Sequence, residues 1–149
     1  MLTRKVLSVN PKDNLGLLIQ NVATSLARSS DDILQPALGI GFAQFKILTV
    51  VESRPHVRQK EIAAQLGQTE ASVSRQLKLM YEDGLIQTRQ RPDNRREHIT
   101  TLTKRGERIC NQASQLLNRH YGSVFAGLNE RQQTQLLLSL KRLAVQANH

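Results

Sequence analysis

With 149 residues, 21 Lys and Arg against 12 Asp and Glu and a formal charge of +9, the chain is long enough for one domain with a real core and is suited to polyanionic partners: nucleic acid first, an anionic membrane surface second. A single cysteine excludes an intramolecular disulfide framework and fits a reducing compartment. The N-terminus lacks the apolar run of a secretory signal, and the uncharged stretch 33–45, interrupted by Pro36, Gly39 and Gly41, is too short to span a bilayer, so a cytoplasmic protein is expected.

Asn10-Pro11 reads as a helix start, with Asn as N-cap, Pro at the first helical position and Asp13 in the first turn. Leu15, Leu18, Val22 and Leu26 mark its apolar stripe, widened by Ile19 and Ala23. Pro36, Gly39 and Gly41 are expected to close it, which puts the first helix over about 11–35. A second helix is predicted over about 42–52 with Phe45, Leu48 and Val51 inward, and Pro55 stops it. A third, short helix is predicted over 57–66 with Ile62 and Leu66 inward and Ala63 between them.

Gly67 then makes a tight turn, and Thr69 is placed to cap a fourth helix that ends at Gly84 in the left-handed conformation glycine tolerates. Val73, Leu77 and Met80, with Tyr81, recur at three- and four-residue steps and predict the buried side. Ala71, Ser74, Arg75 and Lys78 fall on the opposite side, small and polar near the N-terminus and cationic further along. Such a face suits a DNA groove, although an ordinary amphipathic surface helix fits this segment alone equally well. Its setting favours the groove. Ala63 is small where two steeply crossed helices touch, Gly67 turns the chain and Val73 locks the second helix on the first, which is helix-turn-helix spacing.

Beyond Gly84 the periodicity changes. Leu85-Ile86-Gln87-Thr88-Arg89-Gln90 and Glu97-His98-Ile99-Thr100-Thr101-Leu102 are β-branched stretches compatible with strands, joined by Arg91-Pro92-Asp93-Asn94-Arg95-Arg96. A basic hairpin after a helix-turn-helix is a wing whose tip reaches phosphates or the minor groove; the competing reading is a solvated loop whose arginines have no partner. Thr103 caps a long fifth helix to about Ala126, with Ile109, Ala113, Leu116, His120 and Val124 along one side. Asn129 with Gln132 forms a capping-box start for a last helix carrying Leu136, Leu137, Leu140, Leu143 and Ala144. Apolar helices therefore flank a basic middle, and pairing with a second subunit is the natural way to cover their stripes.

From Phe45 to Gly106 the pattern closely resembles the MarR family of bacterial winged-helix transcription regulators. The residues that carry the resemblance are Gln44-Phe45-x-x-Leu48, Glu61-Ile62-Ala63-x-x-Leu66-Gly67, Ser72-Val73-Ser74-Arg75-x-Leu77, Gly84-Leu85-Ile86, Arg95-Arg96 and Leu102-Thr103-x-x-Gly106. The resemblance implies a homodimer interleaved through the first, fifth and sixth helices. Two lobes would read a pseudo-palindromic operator as a repressor, released by a small, commonly anionic aromatic ligand. Carried over residue by residue, it puts Ser72, Ser74, Arg75 and Lys78 on the recognition helix and makes Arg96 the wing arginine that enters the minor groove. The family usually has Asp two residues before that arginine; here it is Asn94, which accepts a hydrogen bond without the charge, and Asp93 is the neighbouring substitute.

The expected fold is therefore mainly α with a small β-hairpin wing: a winged helix-turn-helix DNA-binding lobe over 42–103, between dimerisation helices over 11–35 and 104–147 of a single 1–149 unit. The candidate DNA-binding residues are Thr69, Ala71, Ser72, Ser74, Arg75, Lys78, Arg89, Arg91, Asn94, Arg95 and Arg96. The partners are double-stranded DNA, a second copy and a small aromatic or anionic effector, with no membrane, no cofactor and no metal. His56, His98, His120 and His149 are scattered, and neither a phosphate loop nor a nucleophile elbow occurs, so no enzyme is expected. Two alternatives stand beside the repressor. One is a redox- or ligand-sensing regulator acting through Cys110, although peroxide-sensing relatives place their thiol in the first helix near tyrosines, where this chain has neither. The other is a winged-helix module for protein partners.

Overall fold

The computed structural model describes residues 14–148. Six helices and three short strands follow in the order α1 (Leu15–Leu38), α2 (Phe42–Ser53), β1 (Val57–Arg58), α3 (Gln59–Leu66), α4 (Glu70–Glu82), β2 (Ile86–Gln90), β3 (His98–Leu102), α5 (Lys104–Phe125) and α6 (Glu130–Ala147). The strands form one antiparallel sheet in the order β1-β3-β2, with Thr88 and Val57 both opposite Thr100. The mainly helical winged fold expected from the sequence is the fold observed, with one strand added.

That strand corrects the start of the third helix. Val57 and Arg58 pair with Thr100 and Ile99 instead of continuing a helix over 57–66. Helix α3 begins at Gln59 because Glu61 accepts the Arg58 backbone N–H at 2.9 Å while Arg58 stays extended. The Asn10-Pro11 start lies outside the described residues; within them, Asn14 caps α1 by accepting the Leu17 N–H at 3.1 Å. Nor does Pro36 close α1. The helix absorbs it in its last turn and stops at Gly39, whose φ of 68° is left-handed.

The core gathers Ile47, Leu48, Val50 and Val51 of α2, Ile62 and Ala63 of α3, and Val73, Leu77 and Met80 of α4 around Leu85 and Ile86. Gly67, at φ 62°, turns α3 into α4, and the Gln68 N–H reaches the Ala63 carbonyl at 3.0 Å. Tyr81, expected with the buried side of α4, is 58% exposed: Met80 already closes the stripe and Tyr81 lies one step round from it.

A similar rotation separates the expected and observed faces of α5. The residues it buries are Gly106, Cys110, Ala113 and Leu117, whereas Ile109, Leu116 and His120 are half-buried and Val124 is exposed. The cause is the contact of Gly106 with Leu85, so close that a Cβ at position 106 would overlap the Leu85 carbonyl. Thr103 fixes the same corner: its hydroxyl donates to the Gly84 carbonyl at 2.6 Å and accepts the Gly106 N–H at 2.9 Å. Further along, His120 and Tyr121 meet Ser29 and Ser30 of α1, each at 2.9 Å.

The outer helices are built differently. Helix α6 starts with the expected capping box, Asn129 and Gln132 exchanging side-chain and backbone bonds at 2.9 and 3.0 Å, yet it buries none of its residues. Leu136, Leu137, Leu140 and Leu143 stay exposed, as do Leu15, Leu18 and Val22 of α1. Among the described residues no single helix is long and apolar enough to cross a membrane.

Candidate nucleic-acid interface

Helix α4 owes its position to the core stripe at 73, 77 and 80 and to the Thr69 hydroxyl, which accepts the Ser72 N–H at 3.1 Å. Burial of that stripe turns Ala71, Ser74, Arg75 and Lys78 outward, all exposed, with Ser72 half-buried at the edge. Short side chains thus occupy the N-terminal part of the outer face and cations the rest, so backbone can approach a groove closely there. Glu70 sits in the first turn of the helix, where its charge complements the N-terminal dipole.

The wing adds a second cationic element. Arg89 is exposed on β2, and Arg95 and Arg96 are exposed in the loop. The Asn94 side-chain oxygen accepts the Arg96 backbone N–H at 3.1 Å, so Asn94 shapes the turn through the main chain. Asp93 is not the substitute orienting group for Arg96, because it binds Arg91 twice, Nε and an Nη each at 3.1 Å. Arg91 also reaches Glu97 at 3.3 Å, which leaves it half-buried and internally paired, unlike the other expected contacts. An arginine matched this closely by two carboxylates has little charge to offer a phosphate.

Between the wing and the helix-turn-helix runs a cleft of about 290 Å³ lined by Gln59, Lys60, Glu70, Arg96 and His98. A neighbouring groove of about 210 Å³ joins Ser74, Lys78, Tyr81 and His98. Sequence reading missed Gln59, Lys60 and His98 as members of this surface. Lys60 is an exposed cation at the start of α3; the position of His98 depends on strand pairing and has no local signal. Arg58 also lines the cleft, and its guanidinium and backbone N–H hold the Glu61 carboxyl down to about 2, so this pair is ionised throughout the physiological range.

Cys110 of α5 is fully buried, with its thiol 3.6 Å from the Glu52 carboxylate of α2. Burial, together with the negative charge of Glu52, pushes the thiol up to about 12. The thiolate is the form that attacks peroxide and alkylating reagents, so Cys110 is expected to stay unmodified over hours at pH 7.5 in the folded protein and to be labelled on unfolding. Mass spectrometry with iodoacetamide, with and without denaturant, is the check; rapid labelling of the folded chain would restore the thiol-sensor reading.

The family model for the MarR family matches residues 42–98, the span that contains the helix-turn-helix and most of the wing. The HTH-type transcriptional regulator BilQ of Clostridium symbiosum is 28% identical over 105 residues, 70% of this chain and 73% of the relative. A mutant of MarR from E. coli complexed with operator DNA superposes with a TM-score of 0.79 at 26% identity, over 87% of this chain and 92% of that one. The transcriptional repressor CouR, bound to a 23-mer DNA duplex, gives 0.81 at 26% identity over 88% and 92%.

Proposed function

This chain belongs to the MarR family of transcription regulators, which are not enzymes, and from that premise we propose that it acts in the cytoplasm as a homodimeric repressor that binds a pseudo-palindromic DNA duplex and releases it when a small anionic aromatic effector binds. The observation that carries the DNA reading is the outer face of α4: Ala71, Ser74, Arg75 and Lys78 are exposed together on a helix anchored by a fully buried opposite stripe. Ser72, Ser74 and Arg75 meet base edges, Lys78 and the Thr69 end of the helix meet phosphate, and Arg89, Asn94, Arg95 and Arg96 hold the flanking groove. Arg91 belongs with the wing's internal frame rather than with its contacts.

Dimerisation is supported by α6, an 18-residue helix none of whose leucines is buried among the described residues. A lone helix of that length is marginal in water, and its stability comes from what it packs against. A second copy brings the same face of α6 and the exposed stripe of α1, and a two-fold axis sets the recognition helices about 34 Å apart, one turn of the duplex.

Selection of bound duplexes from a random library is the direct test and is expected to return a two-fold symmetric site. On that site Arg75→Ala is expected to weaken binding by about 1–3 kcal/mol and to relax the preference at the bases it reads. Equal loss on selected and random duplex would remove Arg75 from base reading. Displacement of the selected duplex by phenolic acids checks the effector.

A further inference from the structure

The wing hangs on the lobe by less than its length suggests. Strand β1 accompanies β3 only through Thr100 and Ile99, so beyond Ile99 the two wing strands have each other alone in the ladder. At that point a chain of alternating charges takes over. Glu61 of α3 binds the Arg58 Nη2 at 3.1 Å, the Arg58 Nη1 binds Glu97 at 3.0 Å, Glu97 binds Arg91 at 3.3 Å, and Arg91 binds Asp93 in the loop. The two oxygens of Glu97 are divided: Oε1 takes Arg58, the last residue of β1 and the N-cap of α3, and Oε2 takes Arg91 from the wing loop.

Solvent reaches all of these groups, with roughly a third of the Arg58 and Glu97 side chains exposed, so the pairs add little to global stability. Their geometry matters more. Beyond the β1–β3 ladder, Glu97 links the start of α3 to the wing loop through side chains, and it offsets positive charge on a surface otherwise rich in it.

We propose that Glu97 is a positioning and specificity-determining residue: by sharing its carboxylate between Arg58 and Arg91 it sets the wing against the helix-turn-helix and limits the charge the wing offers to DNA of any sequence. This rests on the DNA-binding reading above. Selective binding needs the wing arginines at a defined distance from α4, whereas binding to random duplex needs only cations. Removing the carboxylate therefore loosens the first and strengthens the second.

The experiment uses the full-length dimer with Glu97→Gln, and with Arg58→Gln as a second approach to the same tether. Binding to the selected duplex and to a random duplex is measured across a salt series, and trypsin cleavage after Arg95 and Arg96 is followed without DNA. Glu97→Gln is expected to bind random duplex several-fold more tightly, to steepen its salt dependence by about 1, the increment for one further phosphate contact, and to lower the selected-to-random ratio. Arg58→Gln, which leaves the residues beside both scissile bonds unchanged, is expected to be nicked faster at the wing than the parent, and the double variant no faster than Glu97→Gln alone. An unchanged selected-to-random ratio, or a wing cut at the parental rate, overturns the proposal. Failure of the parent itself to distinguish the two duplexes would instead overturn the DNA reading and with it the specificity role of Glu97, while the trypsin arm decides the tether without DNA.

Discussion

Gly106→Ala is expected to lower the melting temperature by about 4–8 °C and to loosen the wing, although alanine is the better helix former. Helix propensity favours the substitution by about 1 kcal/mol. Against it stands the Leu85 carbonyl: a Cβ at position 106 would overlap its oxygen and lie 3.0 Å from its carbon, and both atoms are backbone. No side chain can swing aside, so α5 must move away from the Leu85 backbone. That motion stretches the Thr103 N–H to Leu85 bond of 3.1 Å and the Thr103 hydroxyl to Gly84 bond of 2.6 Å. Overpacking of this kind costs about 3 kcal/mol at the upper end of its usual range, and each kcal/mol is worth roughly 2–4 °C in a chain of this size. The clash outweighs propensity. Thermal unfolding at fixed protein concentration is the measurement, and a variant that melts at or above the parent would show that the α5–Leu85 contact is not rigid.

The second large effect concerns assembly. Leu137→Glu combined with Leu140→Glu is expected to give a monomer with an intact lobe that binds the selected duplex at least about 100-fold more weakly. Within the protomer these leucines are 54% and 42% exposed, so the substitutions remove no burial that holds the lobe together. At a two-fold apolar interface the same substitutions bring four carboxylates out of water, at several kcal/mol for each one left unpaired. A monomer reaches one half-site and keeps mainly the salt-sensitive part of the affinity. Sedimentation velocity and DNA titration of one preparation read both consequences. A dimer that survives both glutamates would move the interface off α6, and a monomer of undiminished affinity would detach DNA binding from two-fold symmetry.

Local chemistry makes much of the lobe legible in the sequence. Thr69, Val73, Leu77, Met80 and Gly84 each act within a few residues along the chain, as cap, stripe or stop, so their spacing carries the information, and α4 lies where they put it. The same holds for the capping box at Asn129 and the β-branched strands of the wing. The departures have a common origin in distant contacts. Val57 and Arg58 form a strand because Thr100 and Ile99 are there to pair with them. The buried side of α5 departs from its own apolar pattern because its rotation follows from Gly106 meeting Leu85.

The amino-acid sequence alone determined that this is a basic winged helix-turn-helix chain with a small, cationic outer face on α4 and apolar-striped helices at its ends. Those properties are set by side-chain type and helical or strand period, which act over one or two turns. Only the tertiary structure decided which wing arginines are free and which are engaged. Arg58 and Glu97 lie 39 positions apart, and their 3.0 Å contact exists because the sheet brings β1 alongside β3. Charge is counted along a chain, but its neutralisation depends on folding, since attraction between exposed ions is largely screened beyond about 8–10 Å.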